Sequence, residues 1–143
     1  MKGIIFDVDG TLWDSVEVVA ESWNLAIKEN SDLEPNLNHE ILQGLFGKTM
    51  DEIAVGVFPD LDPDSRRKLM DICFDYENRY LETHPGVYYE GVMDTLKELA
   101  LEYPLFIVSN CQCGYIEVMM KGAGMEPYIK DFLCFGQTQT SKD

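Results

Sequence analysis

The chain of 143 residues reads as an α/β protein whose parallel sheet carries a long helical insertion directly after the first strand. Three observations predict this. Apolar runs recur at Gly3-Ile4-Ile5-Phe6, Leu105-Phe106-Ile107-Val108 and Phe132-Leu133-Cys134-Phe135, and the second is the continuous kind expected of a parallel strand covered on both faces. From about residue 15 to 84 the apolar residues repeat at helical spacing instead, so this block is expected to be helical throughout. The resulting order, β, long helical block, α, β, α, β, is that of parallel strands joined by crossovers.

Each element has its own signal. Val16, Val19, Ala20, Trp23 and Ile27 lie on one face of a helix from Ser15 to about Lys28, and Asn30 to Asn38, with Pro35, interrupts it. Thr49 and Glu52 match a capping box ahead of Ile53, Val55 and Val57. Asp62-Pro63 is an N-cap followed by proline at the first helical position. It opens a long helix with Leu69, Cys73, Tyr76 and Tyr80 on one face, ending before Pro85-Gly86. Val92, Leu96, Leu99 and Tyr103 then form a short helix that Pro104 stops, and Ile116, Met119 and Met120 mark the helix between the last two strands. Trp13 and Trp23 read as packing aromatics.

Composition narrows the function. Eleven Lys and Arg against twenty-six Asp and Glu give a formal net charge of −15, which repels nucleic acid and an anionic membrane surface alike. A small phosphorylated ligand is repelled too, unless a metal and one or two lysines create a local positive spot. Cys73, Cys111, Cys113 and Cys134 show neither a CxxC pair nor zinc spacing and read as reduced thiols. No secretory signal pattern and no apolar span of about eighteen residues is present, so a soluble, cytoplasmic protein is expected.

The chemistry begins at Asp7-Val8-Asp9-Gly10-Thr11. Side chains two apart on a strand face the same way, so Asp7 and Asp9 converge where the strand ends and Gly10 lets the backbone turn. Two converging carboxylates can hold a hard divalent cation, leaving one free to attack phosphorus. Asp-Gly-Thr is also ordinary turn chemistry, which accounts for Asp9 and Gly10 but gives no reason for Asp7 to end an apolar strand. Ser109-Asn110 ends the second strand; its hydroxyl and backbone N–H groups can bind phosphoryl oxygens, or cap the next helix. Both clusters lie at carboxyl ends of strands, where open parallel sheets bind ligands.

Through Asp7-Val8-Asp9-Gly10-Thr11-Leu12 and Val108-Ser109-Asn110 the chain resembles the haloacid dehalogenase (HAD) superfamily of phosphohydrolases, in particular its phosphoglycolate phosphatase and β-phosphoglucomutase-like members with a helical cap. That resemblance implies a Rossmann-like core formed by residues 1–14 and 85–143, with residues 15–84 as an inserted α-helical cap. It implies a nucleophile at Asp7 that forms an aspartyl-phosphate, a general acid/base at Asp9, and Mg2+ held by the Asp7 carboxylate and the Asp9 backbone carbonyl. Thr11, Ser109, Asn110 and Lys142 would hold the phosphate, and Lys48, in the loop Gly44-Leu45-Phe46-Gly47-Lys48, would face the substrate from the cap. A helix-ending glycine beside a solvated lysine explains that loop equally, and Lys142 also reads as a surface charge.

The family's final acidic motif, after a later strand, has no counterpart here, and Asp143 is too close to Lys142 to supply it. A fragment of a longer protein is expected, because a shortened sheet would expose an apolar edge. The function implied is a Mg2+-dependent phosphatase for a small phosphorylated metabolite, acting as a monomer or homodimer. A β-phosphoglucomutase-like transfer on a phosphosugar and a catalytically incomplete phosphate- or metal-binding module are the alternatives.

Overall fold

A computed structural model describes residues 2–142; Met1 and Asp143, the outer ends of the expected core segments, lie outside the described residues, as does the expectation about Asp143. The elements in order are β1 Ile4–Phe6, β2 Trp13–Asp14, α1 Val16–Asn30, α2 His39–Gln43, α3 Met50–Val57, α4 Pro63–Thr83, β3 Val87–Tyr88, α5 Val92–Ala100, β4 Leu105–Ser109, α6 Tyr115–Ala123, a 3-10 turn Glu126–Tyr128, β5 Asp131–Cys134 and α7 Phe135–Thr138. The expected αβ order holds, with Phe135 starting a short helix rather than ending a strand.

The main sheet has the order β1-β4-β5, all parallel, with Phe6 opposite Ile107 and Ser109 opposite Cys134. Only one of its faces is covered by helices. Leu105, Ile107 and Cys134 are buried with Leu96 of α5 and Ile116 and Met119 of α6, whereas Ile5 and Leu133 on the other face are 67% and 49% exposed. The two-sided cover expected for the Leu105–Val108 strand is therefore absent among the described residues. The cause is topological: β1, β4 and β5 step across the sheet in one direction, and right-handed crossovers then place every connecting helix on the same side.

Helices α1 to α4 enclose a second apolar cluster, with Val19, Trp23, Ala26, Leu42, Met70 and Cys73 at its centre and Trp23 edge-on to Phe74 at 5.8 Å. Loops separate these helices, so the block is not helical throughout. The local caps are as the residues dictate: Thr49 and Glu52 form the capping box of α3, and the Asp62 side chain accepts from Ser65 N–H at the start of α4. The buried stripe of α4 is shifted from the expected one, running through Leu69, Met70, Cys73, Phe74, Glu77 and Leu81. Tyr76 and Tyr80 flank it, and their hydroxyls reach Glu29 and Glu21 of α1. An antiparallel pair that the sequence does not announce, β2 with β3, joins the strand entering this helical block to the strand leaving it. Trp13 on β2 is fully buried against Tyr88 and Tyr115, confirming its packing role.

Candidate active site

The chain leaves β1 in a tight turn. Val8 O accepts from the N–H groups of Thr11 and Leu12 at 3.1 and 2.9 Å, and Gly10 takes φ 77°, a conformation that costs glycine little. Asp7 and Asp9 are thus delivered at the carboxyl end of β1, beside the carboxyl end of the neighbouring β4, where Ser109 and Asn110 follow. The two polar clusters meet at one sheet edge.

Asp7 Oδ1 accepts from the Val8 N–H at 2.8 Å and from Lys142 Nζ at 2.5 Å. Oδ2 makes no hydrogen bond to a described residue. Lys142 is held in turn: its N–H donates to Asn110 Oδ1 at 2.9 Å and its ammonium lies 3.5 Å from Val108 O. Lys142 thus pairs with the first aspartate of the strand-end motif.

Asp9 has different surroundings. The Tyr115 hydroxyl donates to Asp9 Oδ1, and the same hydroxyl oxygen lies 2.8 Å from Ser15 Oγ and accepts from Trp13 Nε1 at 3.2 Å. A phenol has one proton to give, so the Ser15 hydroxyl donates to it. Burial raises the Asp9 carboxyl to about 6, with the nearby charge of Asp7 adding to the rise and the Tyr115, Trp13 and Lys142 contacts opposing it. Burial likewise pushes the Tyr115 hydroxyl well above its ordinary value. A carboxyl poised near 6 suits proton transfer in both directions at neutral pH.

A small cleft of about 30 Å³, room for about one water, lies between this sheet edge and the helical block. Asp9, Ser109, Asn110, Gln112 and Tyr115 line it from the sheet side; Trp23, Gly47, Lys48, Phe74 and Glu77 line it from the helices. Three hydrogen bonds hold the two sides together: Asn110 Nδ2 to Gly47 O at 3.0 Å, Gln112 Nε2 to Asn78 Oδ1 at 3.1 Å, and Asn78 Nδ2 to Cys113 O at 2.8 Å. A larger groove of about 660 Å³ beside α3, α4 and α7 shares Phe74 with the cleft and includes none of the expected site residues.

The expected residues therefore divide. Asp9, Ser109, Asn110 and Lys48 line the cleft, and Asp7 with Lys142 forms a half-exposed pair outside its lining. Thr11 is exposed in the turn, away from the lining, with its N–H on Val8 O. The Asn110 side chain donates one amide hydrogen to Gly47 O and accepts from the Lys142 N–H, which ties the loop before α3 to the chain after β5. Two residues escaped the sequence reading. Tyr115 follows a left-handed Gly114 and carries no local signal of its bond to Asp9, 106 positions away. Glu77 did carry a signal, an acid one turn from both Cys73 and Leu81 on an apolar stripe.

The donor set fits a hard cation in part. Among the described residues no group of three or more His, Cys, Asp and Glu side chains is arranged to hold a metal. The Asp7 carboxylate and the Asp9 carbonyl are nonetheless oxygen donors of the type Mg2+ takes, and that ion keeps several waters and shares its remaining positions with phosphate oxygens.

Solved structures share this architecture. A predicted phosphoglycolate phosphatase from Haemophilus somnus matches with a TM-score of 0.81 at 24% identity, over 96% of this chain and 63% of its own. The HAD-hydrolase YfnB from Bacillus subtilis, bound to magnesium, matches at 0.61 and 20% identity, over 96% and 66%. CbbY from Rhodobacter sphaeroides, in complex with xylulose-(1,5)bisphosphate, matches at 0.74 and 14%, over 94% and 63%. The chain thus spans under two thirds of each of these proteins, and at such identities the likeness is one of fold. No curated protein matches the chain. The family described as haloacid dehalogenase-like hydrolase matches residues 4–143, from the first strand through the lysine that pairs with Asp7, and the chain belongs to that family.

Proposed function

We propose that the protein is a Mg2+-dependent phosphatase that hydrolyses a small phosphomonoester through an aspartyl-phosphate on Asp7, with residues 15–84 acting as the cap. One observation carries this reading: a strand-end aspartate paired with Lys142 at 2.5 Å stands two residues from a second carboxyl that the Tyr115 hydroxyl holds by a hydrogen bond. Lys142 and the Val8 N–H hold Asp7 Oδ1, which leaves Oδ2 to attack phosphorus. As the Oδ2–P bond forms and the ester P–O bond breaks, Asp9 gives its proton to the departing alkoxide. Asp9 is then anionic and takes a proton from the water that attacks phosphorus, breaking the bond to Asp7 and releasing inorganic phosphate. The Tyr115 hydroxyl holds the Asp9 side chain in place for both transfers. The Ser109 hydroxyl and the backbone N–H groups after β4 face the transferring oxygens. Asp7 and the Asp9 carbonyl would hold Mg2+, which when bound offsets the negative charge shared by nucleophile and phosphate.

The cleft has little free space between the helical block and the sheet edge, and movement of the cap away from that edge would admit the alcohol half of the substrate. None of the helices is long and apolar enough to cross a membrane among the described residues, and the four cysteines are free thiols, which supports a cytoplasmic setting. The test is inorganic phosphate release from p-nitrophenyl phosphate by the full natural polypeptide with Mg2+. Asp7→Asn should lower kcat by at least about 10³-fold. Unchanged turnover in that variant overturns the covalent mechanism, and isomerisation of a hexose 1-phosphate without net phosphate release favours the mutase reading instead.

A further inference from the structure

Glu77 takes no part in the steps above, yet it is a carboxyl buried to 3% exposure in the wall that faces Asp9. It stands on α4, on a stripe whose neighbouring turns carry Cys73 and Leu81. A carboxyl buried without use costs several kcal/mol, and an aliphatic residue would fill the same place without that cost. Trp23 Nε1 donates to its Oε2 at 2.8 Å. The Gln112 amide also bonds to it, and Glu77 lines the cleft, where a protonated carboxyl still has an O–H to donate.

The charge pattern along the site says what that capacity can meet. Lys142 puts positive charge at Asp7, on the phosphate side. Among the described residues lining the cleft, Lys48 is the one cation, and it is exposed, whereas Glu77 lies deep beside Asp9 and Tyr115. Asp9 is the residue that protonates the leaving oxygen, so Glu77 faces the alcohol half of the ester.

We propose that Glu77 determines specificity by hydrogen-bonding a hydroxyl or ammonium group on the alcohol half of the substrate. The site accordingly takes phosphates of polyols, sugars or amino alcohols and discriminates against esters such as phosphoglycolate that carry a carboxylate there. This inference rests on the phosphatase reading. Burial raises the Glu77 carboxyl to about 8, so near neutral pH it keeps a proton and can both donate to and accept from a hydroxyl. A substrate carboxylate in the same place would be desolvated next to Asp9 with no cation at that depth.

The experiment compares glycerol 1-phosphate with phosphoglycolate in wild type, Glu77→Leu and Glu77→Gln. Binding is measured by calorimetry and turnover by phosphate release. The wild type should favour glycerol 1-phosphate at least about tenfold in both Kd and kcat/KM. Glu77→Leu should bring that ratio to within about threefold of one, and Glu77→Gln, which can still donate and accept, should restore most of it. A wild-type preference for phosphoglycolate, or equal losses on both esters in Glu77→Leu with the ratio intact, overturns the inference. Calorimetry needs no turnover: a binding preference without phosphate release overturns the phosphatase reading alone, and turnover without the preference overturns this inference alone. Binding of neither ester overturns both.

Discussion

Replacing Glu77 with Gln should remove one component of the pH dependence of folding stability, a loss of stability as pH rises from about 5 to about 8. In the folded protein the carboxyl binds its proton up to about pH 8, because it is buried and lies near the charge of Asp9, although the Gln112 amide and the Trp23 N–H partly counter this. In the unfolded chain it releases that proton near 4.5. Between those values the native state holds one proton more than the unfolded state, so stability is fully present below about 4.5 and is lost as pH rises through about 8. At about 1.4 kcal/mol per pH unit, the rise from 4.5 to about 8 sets a ceiling of about 5 kcal/mol. The shifted groups around it share the effect: Asp9 and Tyr115 face the same cleft, and the buried thiol of Cys73 lies one turn away. Local opening of the cleft would wet the site and lower the amount realised, so a difference of about 1–4 kcal/mol is expected. Urea denaturation followed by circular dichroism at several pH values between about 5 and 9 measures it, because Glu77→Gln keeps an oxygen to accept from Trp23 Nε1. Wild-type and variant stabilities falling in parallel across that range would show that Glu77 is not the titrating group.

Three further substitutions probe the remaining links. Tyr115→Phe removes the donor to Asp9 and the acceptor of the Ser15 and Trp13 hydrogen bonds; it should cost about 1–3 kcal/mol in thermal unfolding. It should also move the Asp9 limb of the pH–rate profile upward, because a contact that lowers the Asp9 carboxyl is lost. Asn110→Ala frees both Gly47 and the backbone of Lys142, so hydrogen exchange should speed up in residues 44–48 while kcat/KM falls, and unchanged exchange would show that the amide does not hold that loop. Met119→Ala opens a cavity in the fully buried layer between α6 and the sheet and should cost about 2–5 kcal/mol in urea, with the preference between glycerol 1-phosphate and phosphoglycolate unchanged.

Residues close in sequence determined the pieces. The capping box at Thr49, the Asp62-Pro63 helix start, the apolar runs of β1 and β4, and Asp7 and Asp9 at a strand end all follow from spacings of two to four positions, which backbone periodicity converts directly into faces and ends. The adjacency of β1 and β4 then brought Asp7, Asp9 and Ser109 to one edge, as strand-end chemistry requires. Only the tertiary structure decided which partners those residues meet. The strands β2 and β3 are two residues each, too short for any periodicity, and exist because the ends of the helical block must pair. The bare face carrying Ile5 and Leu133 comes from the direction in which strands were added. Tyr115 reaches Asp9 across 106 positions, and Asn110 spends its amide on the Gly47 loop and Lys142. A hydrogen bond between distant segments is chosen by how two packed layers come to rest on each other, and that is a property of the whole fold rather than of any short stretch of chain.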